Sequence, residues 1–124
     1  MAKILIADDR QLMRSALKSV FMMRPKWEIC GEATDGLEVV TKVSELQPDL
    51  IIMDFRMPLA DGIQAARKIS ASAPSIPIVL YTLYKNDELV EAAKLAGIRA
   101  VVSKEDGVLN LLKAIDAELP ESKT

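Results

Sequence analysis

Five short apolar segments alternate with longer amphipathic ones along these 124 residues, and this alternation restricts the fold more than any other feature. Runs such as Ile4-Leu5-Ile6-Ala7 and Leu50-Ile51-Ile52-Met53 have the length and branching of buried strands. The segments between the runs have helical periodicity and end near proline or glycine. The predicted strands cover residues 4–7, 27–33, 50–53, 78–81 and 100–102, and the predicted helices cover residues 11–23, 35–46, 63–70, 87–96 and 106–119.

A strand–helix unit repeated in this way predicts a parallel sheet covered by helices on both faces. The units are too few for an eight-fold barrel, so we expect an α/β fold with an open, doubly wound, five-stranded sheet. The flavodoxin-like strand order 2-1-3-4-5 is favoured, with five helices. We expect one domain over residues 1–124, with a polar tail from about residue 120. In the first helix the periodicity predicts an apolar face made of Leu12, Ala16, Val20 and Met23.

Composition removes several classes of function. Basic and acidic residues nearly balance, 16 against 18, so the chain has no excess of positive charge that would indicate binding to nucleic acid or to an anionic membrane. The absence of histidine excludes a histidine base, a histidine metal ligand and a phosphohistidine carrier. Cys30 is the single cysteine, which excludes an intramolecular disulfide, and its apolar neighbours predict burial in the core.

The sequence also carries no stretch of the ~20 apolar residues that a membrane span needs. The apolar start of the chain gives way at once to Asp8 and Asp9, which is typical of a first strand and not of a secretory signal. We therefore expect a cytoplasmic location.

Polar side chains follow the predicted strands. Asp8 and Asp9 follow the first strand, Asp54 the third, Thr82 the fourth and Lys104 the fifth. In doubly wound sheets the functional crevice lies beyond the carboxyl ends of the strands, so these side chains should meet. Three crowded carboxylates repel one another, and a hard divalent cation removes that repulsion; Mg²⁺ fits best, with Mn²⁺ as a substitute.

A metal-bound carboxylate beside a lysine and a hydroxyl suits phosphoryl transfer. Asp54 can attack phosphorus, Lys104 can neutralise the transferring oxygens, and Thr82 can hydrogen-bond one of them. Each residue also has an ordinary explanation: Asp9 could cap the helix that begins near Arg10, and Lys104 could be a solvated surface charge. Their joint placement at one rim of the sheet favours the functional interpretation.

Over almost its full length the chain resembles the receiver domain of two-component response regulators. The matching segments are residues 4–9, residues 48–58, Asp61-Gly62, Thr82, Ala96-Gly97 and Lys104. The resemblance implies a domain that takes a phosphoryl group from a sensor histidine kinase or a phosphotransfer protein, and then slowly hydrolyses it. It also implies a switchable output surface formed by the fourth helix, the fifth strand and the fifth helix.

The same resemblance assigns roles to individual residues. Asp54 resembles the phosphoacceptor, Asp9 the direct metal ligand, and Asp8 the acidic partner that binds metal mainly through water. The backbone carbonyl of Arg56 resembles the third protein ligand of the metal. Thr82 resembles the switch hydroxyl, and Lys104 resembles the lysine that pairs with the phosphoryl group.

Two features refine the resemblance. Glu105 after Lys104, together with Gly31-Glu32-Ala33, is similar to receivers of the NarL/FixJ type, which usually precede a helix-turn-helix DNA-binding domain. Both an excised receiver and a single-domain regulator agree with the sequence, and we expect this domain itself to make no contact with nucleic acid. Val101 departs from the family, which usually has Tyr or Phe three residues before the lysine.

Other functions stay open at this point. The runner-up is a receiver-shaped interaction module that works without phosphorylation. A magnesium-dependent phosphohydrolase would need a second acid two residues after its nucleophile, where this chain has Arg56. A flavin-binding protein would need a Ser/Thr/Gly-rich phosphate loop after the first strand, where this chain has Asp8-Asp9-Arg10.

Two hypotheses concern behaviour beyond the chemistry. Arg56 and Tyr84, each two residues after a site residue, should lie at the mouth of the pocket and obstruct hydrolytic water. The fifth helix is more apolar than one core-facing stripe requires, so part of it could form a homodimer or partner surface. That apolar set consists of Val108, Leu109, Leu111, Leu112 and Ile115.

Overall fold

A computed structural model describes residues 1–119, and the predicted polar tail lies outside them. The strands are β1 (Ala2–Ala7), β2 (Trp27–Ala33), β3 (Leu50–Met53), β4 (Ile78–Thr82) and β5 (Ala100–Ser103). The helices are α1 (Gln11–Met22), α2 (Gly36–Leu46), α3 (Gly62–Ser72), α4 (Asp87–Leu95) and α5 (Val108–Glu118). All pairings are parallel and the strand order is β2-β1-β3-β4-β5, which confirms the predicted fold class and topology.

The strands alternate their side chains between two apolar layers. Leu5, Ile51 and Leu80 face a layer completed by α2, α3 and α4. Ile4 and Ile52 face a second layer completed by α1 and α5. The central strands β1 and β3 are therefore apolar at almost every position, as a sheet buried on both faces requires.

Side chains that the sequence places just before α2 and α3 fix where these two helices start. Asp35 accepts from the backbone N–H groups of Leu37 and Glu38 at the start of α2. Asp61 and Gln64 form a reciprocal capping box at the start of α3. These caps satisfy backbone donors that have no partner inside the helix, so each helix starts at a defined residue after its loop.

The predicted apolar face of α1 is wrong. Leu17 and Phe21 are buried against the sheet, whereas Leu12 and Met23 are more than 80 % exposed. The helix carries apolar residues on more than one side, and only the packing against β1 and β2 decides which side is covered. Four exposed apolar side chains on and after this helix are the consequence: Leu12, Ala16, Met22 and Met23.

The start of the last helix also differs from the prediction. Lys104–Asp106 form a separate 3₁₀ turn, and α5 begins only at Val108. Gly107 has a φ of 85°, a left-handed conformation that favours glycine and interrupts the helix. Lys104 therefore lies on a short turn of its own, directly after β5.

Two smaller findings complete the fold. Cys30 is only partly buried and packs at the edge of a core layer, and burial raises the pKa of its thiol. In the part of the chain that the structure describes, no helix is long and apolar enough to cross a bilayer.

Candidate phosphorylation site

The strand register brings the predicted site residues to one edge of the sheet. Ala7 pairs with Met53, and Met53 pairs with Leu80, so the residues after β1 and β3 emerge side by side. Asp8 and Asp9 leave β1 at this edge, and Asp54 leaves β3. The backbone N–H of Asp54 donates to the carbonyl of Ala7 at 2.9 Å and holds the two loops together.

Three carboxylates meet at this edge. Each of Asp8, Asp9 and Asp54 places a carboxylate oxygen within 4.8 Å of the others. Asp8 and Asp54 are buried, at 3 % and 4 % exposure, while Asp9 is exposed to solvent. Like charges this close repel one another, and the repulsion is screened least between the buried carboxylates of Asp8 and Asp54. The arrangement therefore requires positive charge.

Lys104 supplies part of this charge from the 3₁₀ turn after β5. Its Nζ lies 2.8 Å from Asp8 Oδ2 and 3.2 Å from Asp54 Oδ2, and its side chain is 4 % exposed. An ammonium group buried at this level needs such partners, because an unpaired buried charge is costly. The structure thus brings Lys104 together with the carboxylates, as predicted.

The environment of Asp54 sets its protonation. Burial raises the pKa of the Asp54 carboxyl, the charge of Lys104 opposes this, and the charge of Asp8 adds to the increase. The backbone N–H of Phe55 also donates to Asp54 Oδ1 at 2.8 Å and favours the ionised form. Asp54 therefore depends on its cationic neighbour to remain a carboxylate in a buried position.

Thr82 ends β4 at the same edge and is fully buried. Its hydroxyl oxygen accepts from the backbone N–H of Tyr84 at 3.2 Å. Within residues 1–119 the hydroxyl forms no hydrogen bond with Asp54, and it is held within the loop between β4 and α4. Thr82 is thus placed near the site but is bonded to its own loop in this state.

Arg56 and Tyr84 contact each other. The guanidinium carbon of Arg56 lies 4.5 Å from the centre of the Tyr84 ring, which is a cation–π contact between the β3–α3 and β4–α4 loops. Arg56 also lines an open cleft of about 330 Å³ together with Asp9, Met57 and Pro58. Arg56 therefore lies beside Asp9, and Tyr84 contacts Arg56 from the β4–α4 loop.

Val101 lies in β5 opposite Leu80 and is partly buried against the layer formed by α2, α3 and α4. An aliphatic side chain therefore occupies the position where the resemblance would place an aromatic ring.

Two residues that contact the site were missed by the sequence analysis. The ring of Tyr81 lies 5.9 Å from Lys104 Nζ on the face covered by α5, and burial raises the pKa of its phenol. Its position directly before Thr82 is the sequence feature that could have indicated a contact with the site. Arg14 in α1 donates to the backbone carbonyl of Asp8 at 2.7 Å. No local motif marks this arginine, because its acceptor is a backbone atom.

Comparison with known proteins agrees with this geometry. The family model of the response regulator receiver domain matches residues 4–116. The transcriptional regulatory protein PdtaR of Mycobacterium tuberculosis is 43% identical over 115 residues, which cover 92% of this chain and 55% of the relative. LnrK of Bacillus subtilis is 31% identical over 115 residues, covering 93% and 52% of the two chains. The chain spans about half the length of these curated relatives.

Solved structures give the same result. A LuxR-family response regulator from Aurantimonas sp. SI85-9A1 superposes with a TM-score of 0.90 at 28% identity, covering 94% of this chain and 84% of the other. The response regulator domain of Thermotoga maritima CheB gives a TM-score of 0.86 at 26% identity, covering 98% of both chains. With the acidic cluster, the buried lysine and the 2-1-3-4-5 sheet, these matches show that the chain belongs to the response regulator receiver domain family, a signalling domain of two-component systems.

Proposed function

We propose that this receiver accepts a phosphoryl group on Asp54 from a phosphohistidine of a sensor kinase or phosphotransfer protein. The observation that carries the proposal is the position of Lys104, whose ammonium contacts both Asp8 and Asp54 inside a three-carboxylate cluster. A buried lysine that bridges two acids favours the ionised form of Asp54 and places a cation beside it, as an attacking carboxylate requires.

The donor set fits Mg²⁺, with Mn²⁺ as a substitute. Carboxylate oxygens are hard ligands, and the exposed Asp9 leaves one side of the cluster open to a hydrated ion. Asp9 and Asp54 would hold the ion directly, Asp8 mainly through water, and the backbone carbonyl of Arg56 would be a further ligand. When bound, the ion supplies positive charge that lowers the repulsion between Asp54 and the incoming phosphoryl oxygens.

The chemical step forms one bond and breaks one. A carboxylate oxygen of Asp54 attacks phosphorus, the phosphorus–nitrogen bond to the donor imidazole breaks, and the leaving nitrogen keeps the electron pair and takes up a proton. Lys104 then pairs with a phosphoryl oxygen, and the Thr82 hydroxyl turns from its own loop to donate to another. Attack by water on phosphorus later releases phosphate and restores the carboxylate, so the signal ends without another protein.

Phosphorylation changes the partners of Lys104 and Thr82, which lie at the ends of β5 and β4. The surface formed by α4, β5 and α5 is therefore the proposed output surface, and its two states pre-exist in equilibrium. Val101 cannot switch as an aromatic ring would, so the change would reach this surface through the β4–α4 loop and the turn that carries Lys104.

The experiment is incubation of the parent protein with acetyl phosphate and Mg²⁺, followed by intact-mass spectrometry. We expect one phosphoryl addition that hydroxylamine removes, as for an acyl phosphate. Asp54→Asn keeps nearly the same shape but lacks the attacking oxygen, so it should not be labelled. Asp106→Asn, at an exposed position on the turn after β5, is the matched control and should be labelled like the parent.

Equal labelling of the parent and Asp54→Asn would place the phosphorylation site elsewhere. No labelling of the parent under any Mg²⁺ concentration, together with binding of a kinase, would favour the phosphorylation-independent interaction module. The departure at Val101 is the sequence observation on the side of that second function.

A further inference from the structure

The guanidinium of Arg14 connects helix α1, strand β2 and the acidic loop. Its Nε donates to Glu32 Oε1 at 2.8 Å, and its Nη1 donates to the backbone carbonyl of Asp8 at 2.7 Å. The side chain is 13 % exposed, so these contacts lie mostly out of solvent. We infer that Arg14 is a positioning residue of the metal site, which holds the Asp8-Asp9 segment in place through the Asp8 carbonyl. This inference rests on the proposed magnesium site.

Asp8 is held by four contacts in different directions. Its backbone N–H donates to the carbonyl of Ala33 at 3.0 Å, past the last residue pair of β1 and β2. Its carboxylate accepts from the backbone N–H of Arg10 at 2.9 Å and from Lys104. The Arg14 contact is the fourth, and it fixes the peptide plane that joins Asp8 to Asp9.

Asp9 depends on this peptide plane. Within residues 1–119 its exposed carboxylate forms no hydrogen bond and no ion pair, so no side-chain contact orients it. Its position relative to Asp8 and Asp54 is therefore set by its own rotamer and by the backbone that carries it. A loose Asp8 carbonyl would let Asp9 rotate away from the cluster, and the ordering of Asp9 would then oppose metal binding.

Glu32 keeps the arginine oriented. It accepts from Arg14 through one carboxylate oxygen and from Lys18 through the other, at 2.7 Å. The hydrogen bonds from Lys18 and Arg14 hold the pKa of Glu32 below its ordinary range, so the carboxylate stays ionised. Arginine can bind Glu32 and the Asp8 carbonyl together because its planar guanidinium presents donors to two acceptors at once. A lysine would have a single nitrogen for both acceptors.

Lys18 provides a matched control. It is one helical turn further along α1, pairs with the same Glu32 carboxylate, and is 45 % exposed. It does not contact Asp8, so replacing it weakens the ion-pair network without freeing the acidic loop. The comparison between Arg14 and Lys18 therefore separates the carbonyl contact from the surface ion pair.

The test is Mg²⁺ affinity by titration calorimetry for the parent, Arg14→Gln and Lys18→Gln. We expect binding to weaken about tenfold in Arg14→Gln, as for residues that orient metal ligands, and by less than about twofold in Lys18→Gln. Metal-free hydrogen exchange at the Arg10 amide, which bonds the Asp8 carboxylate, should quicken only in Arg14→Gln.

Two further variants keep the inference falsifiable. Ile115→Val loosens the distant core and should lower the melting temperature without changing Mg²⁺ affinity, so a general loss of stability is distinguishable. Glu32→Gln should weaken Mg²⁺ binding more than Lys18→Gln and less than Arg14→Gln; where Arg14→Gln does not fold, the comparison between Glu32→Gln and Lys18→Gln decides. Parent-like affinity in Arg14→Gln, or equal losses in Arg14→Gln and Lys18→Gln, would overturn the inference. Asp9→Ala should still lose Mg²⁺ affinity in that case, so the failure would not extend to the magnesium site itself. A parent that binds no Mg²⁺ would overturn the magnesium site and this inference with it.

Discussion

The contact between Arg56 and Tyr84 predicts how long the phosphoryl group survives. The guanidinium carbon of Arg56 lies 4.5 Å from the centre of the Tyr84 ring, and the two residues belong to the loops that follow Asp54 and Thr82. Water must reach phosphorus in line with the bond from Asp54, and a stacked pair beside the pocket would obstruct that approach. Replacing both residues by alanine should therefore speed autodephosphorylation.

The magnitude follows from the strength of the contact. A cation–π pair at an exposed site contributes about 0.5–1 kcal/mol. If water can enter only when the pair is apart, this free energy adds to the barrier for hydrolysis, which corresponds to about a twofold to fivefold change in rate. Arg56 could also donate to a phosphoryl oxygen, which would bring the acceleration toward the upper end of that range.

The assay follows loss of phosphoryl label in Mg²⁺ buffer for the parent, both single variants and the double variant. Because each single variant removes the same contact, each should give most of the acceleration and the effects should not add. Lys85→Ala, next to Tyr84 but outside the stack, should decay like the parent. An unchanged or slower rate in the double variant would refute the obstruction, and additive single effects would refute a shared contact.

Three other predictions test the site and the surface. Asp9→Ala should fold normally and lose at least tenfold in Mg²⁺ affinity. Calorimetry is the measurement, because Trp27 lies at the opposite end of β1 and β2, where its fluorescence is far from the site. Unchanged affinity would mean that the site is misassigned. A Cβ at Gly62 would lie 2.5 Å from the carbonyl of Asp54, so Gly62→Ala should lower the free energy of unfolding in urea by about 1–3 kcal/mol; parent-like stability would contradict that close packing. If α5 forms a dimer surface, Leu109→Ser should abolish self-association in sedimentation with a phosphoryl analogue, whereas a parent that is strictly monomeric in both states would contradict the dimer.

The last of these predictions is narrower than the sequence suggested. Of the apolar set on α5, Leu111, Leu112 and Ile115 are buried against the sheet, and Val108 packs at the edge of the same layer. Leu109 is 67 % exposed and is the member of the set that remains free for a partner. Burial in the core thus accounts for most of the apolar residues of this helix, and Leu109 is the exception.

The topology could be predicted from the sequence because it depends on patterns that the chain repeats. Apolar strands buried on both faces, separated by single helices, leave few ways to build a sheet, and right-handed crossovers reduce them further. The meeting of Asp8, Asp54 and Lys104 then follows from parallel strands, whose carboxyl ends share one edge. These residues needed no knowledge of side-chain packing.

Side-chain packing is where prediction failed. The apolar face predicted for α1 includes Leu12 and Met23 because their spacing is helical, yet Leu17 and Phe21, with an equally helical spacing, are the buried pair. Periodicity cannot choose between two apolar stripes on one helix; the sheet that covers one of them makes the choice. The separate turn at Lys104 is a related case, because the sequence pattern places Gly107 inside the last helix, whereas its left-handed φ interrupts the helix there.

The same distinction applies within the site. Carboxylates and a lysine at strand ends are recognisable because their chemistry is unusual where the backbone places them. Arg14 and Glu32 are ordinary charged residues, 18 positions apart, and their pairing depends on how α1 lies across β2. If Arg14 orients Asp8 as inferred, the affinity of the metal site depends on a contact between elements that no motif at the strand ends encodes. A substitution on the face of α1 could then change phosphorylation without altering any residue that touches the metal or the phosphoryl group.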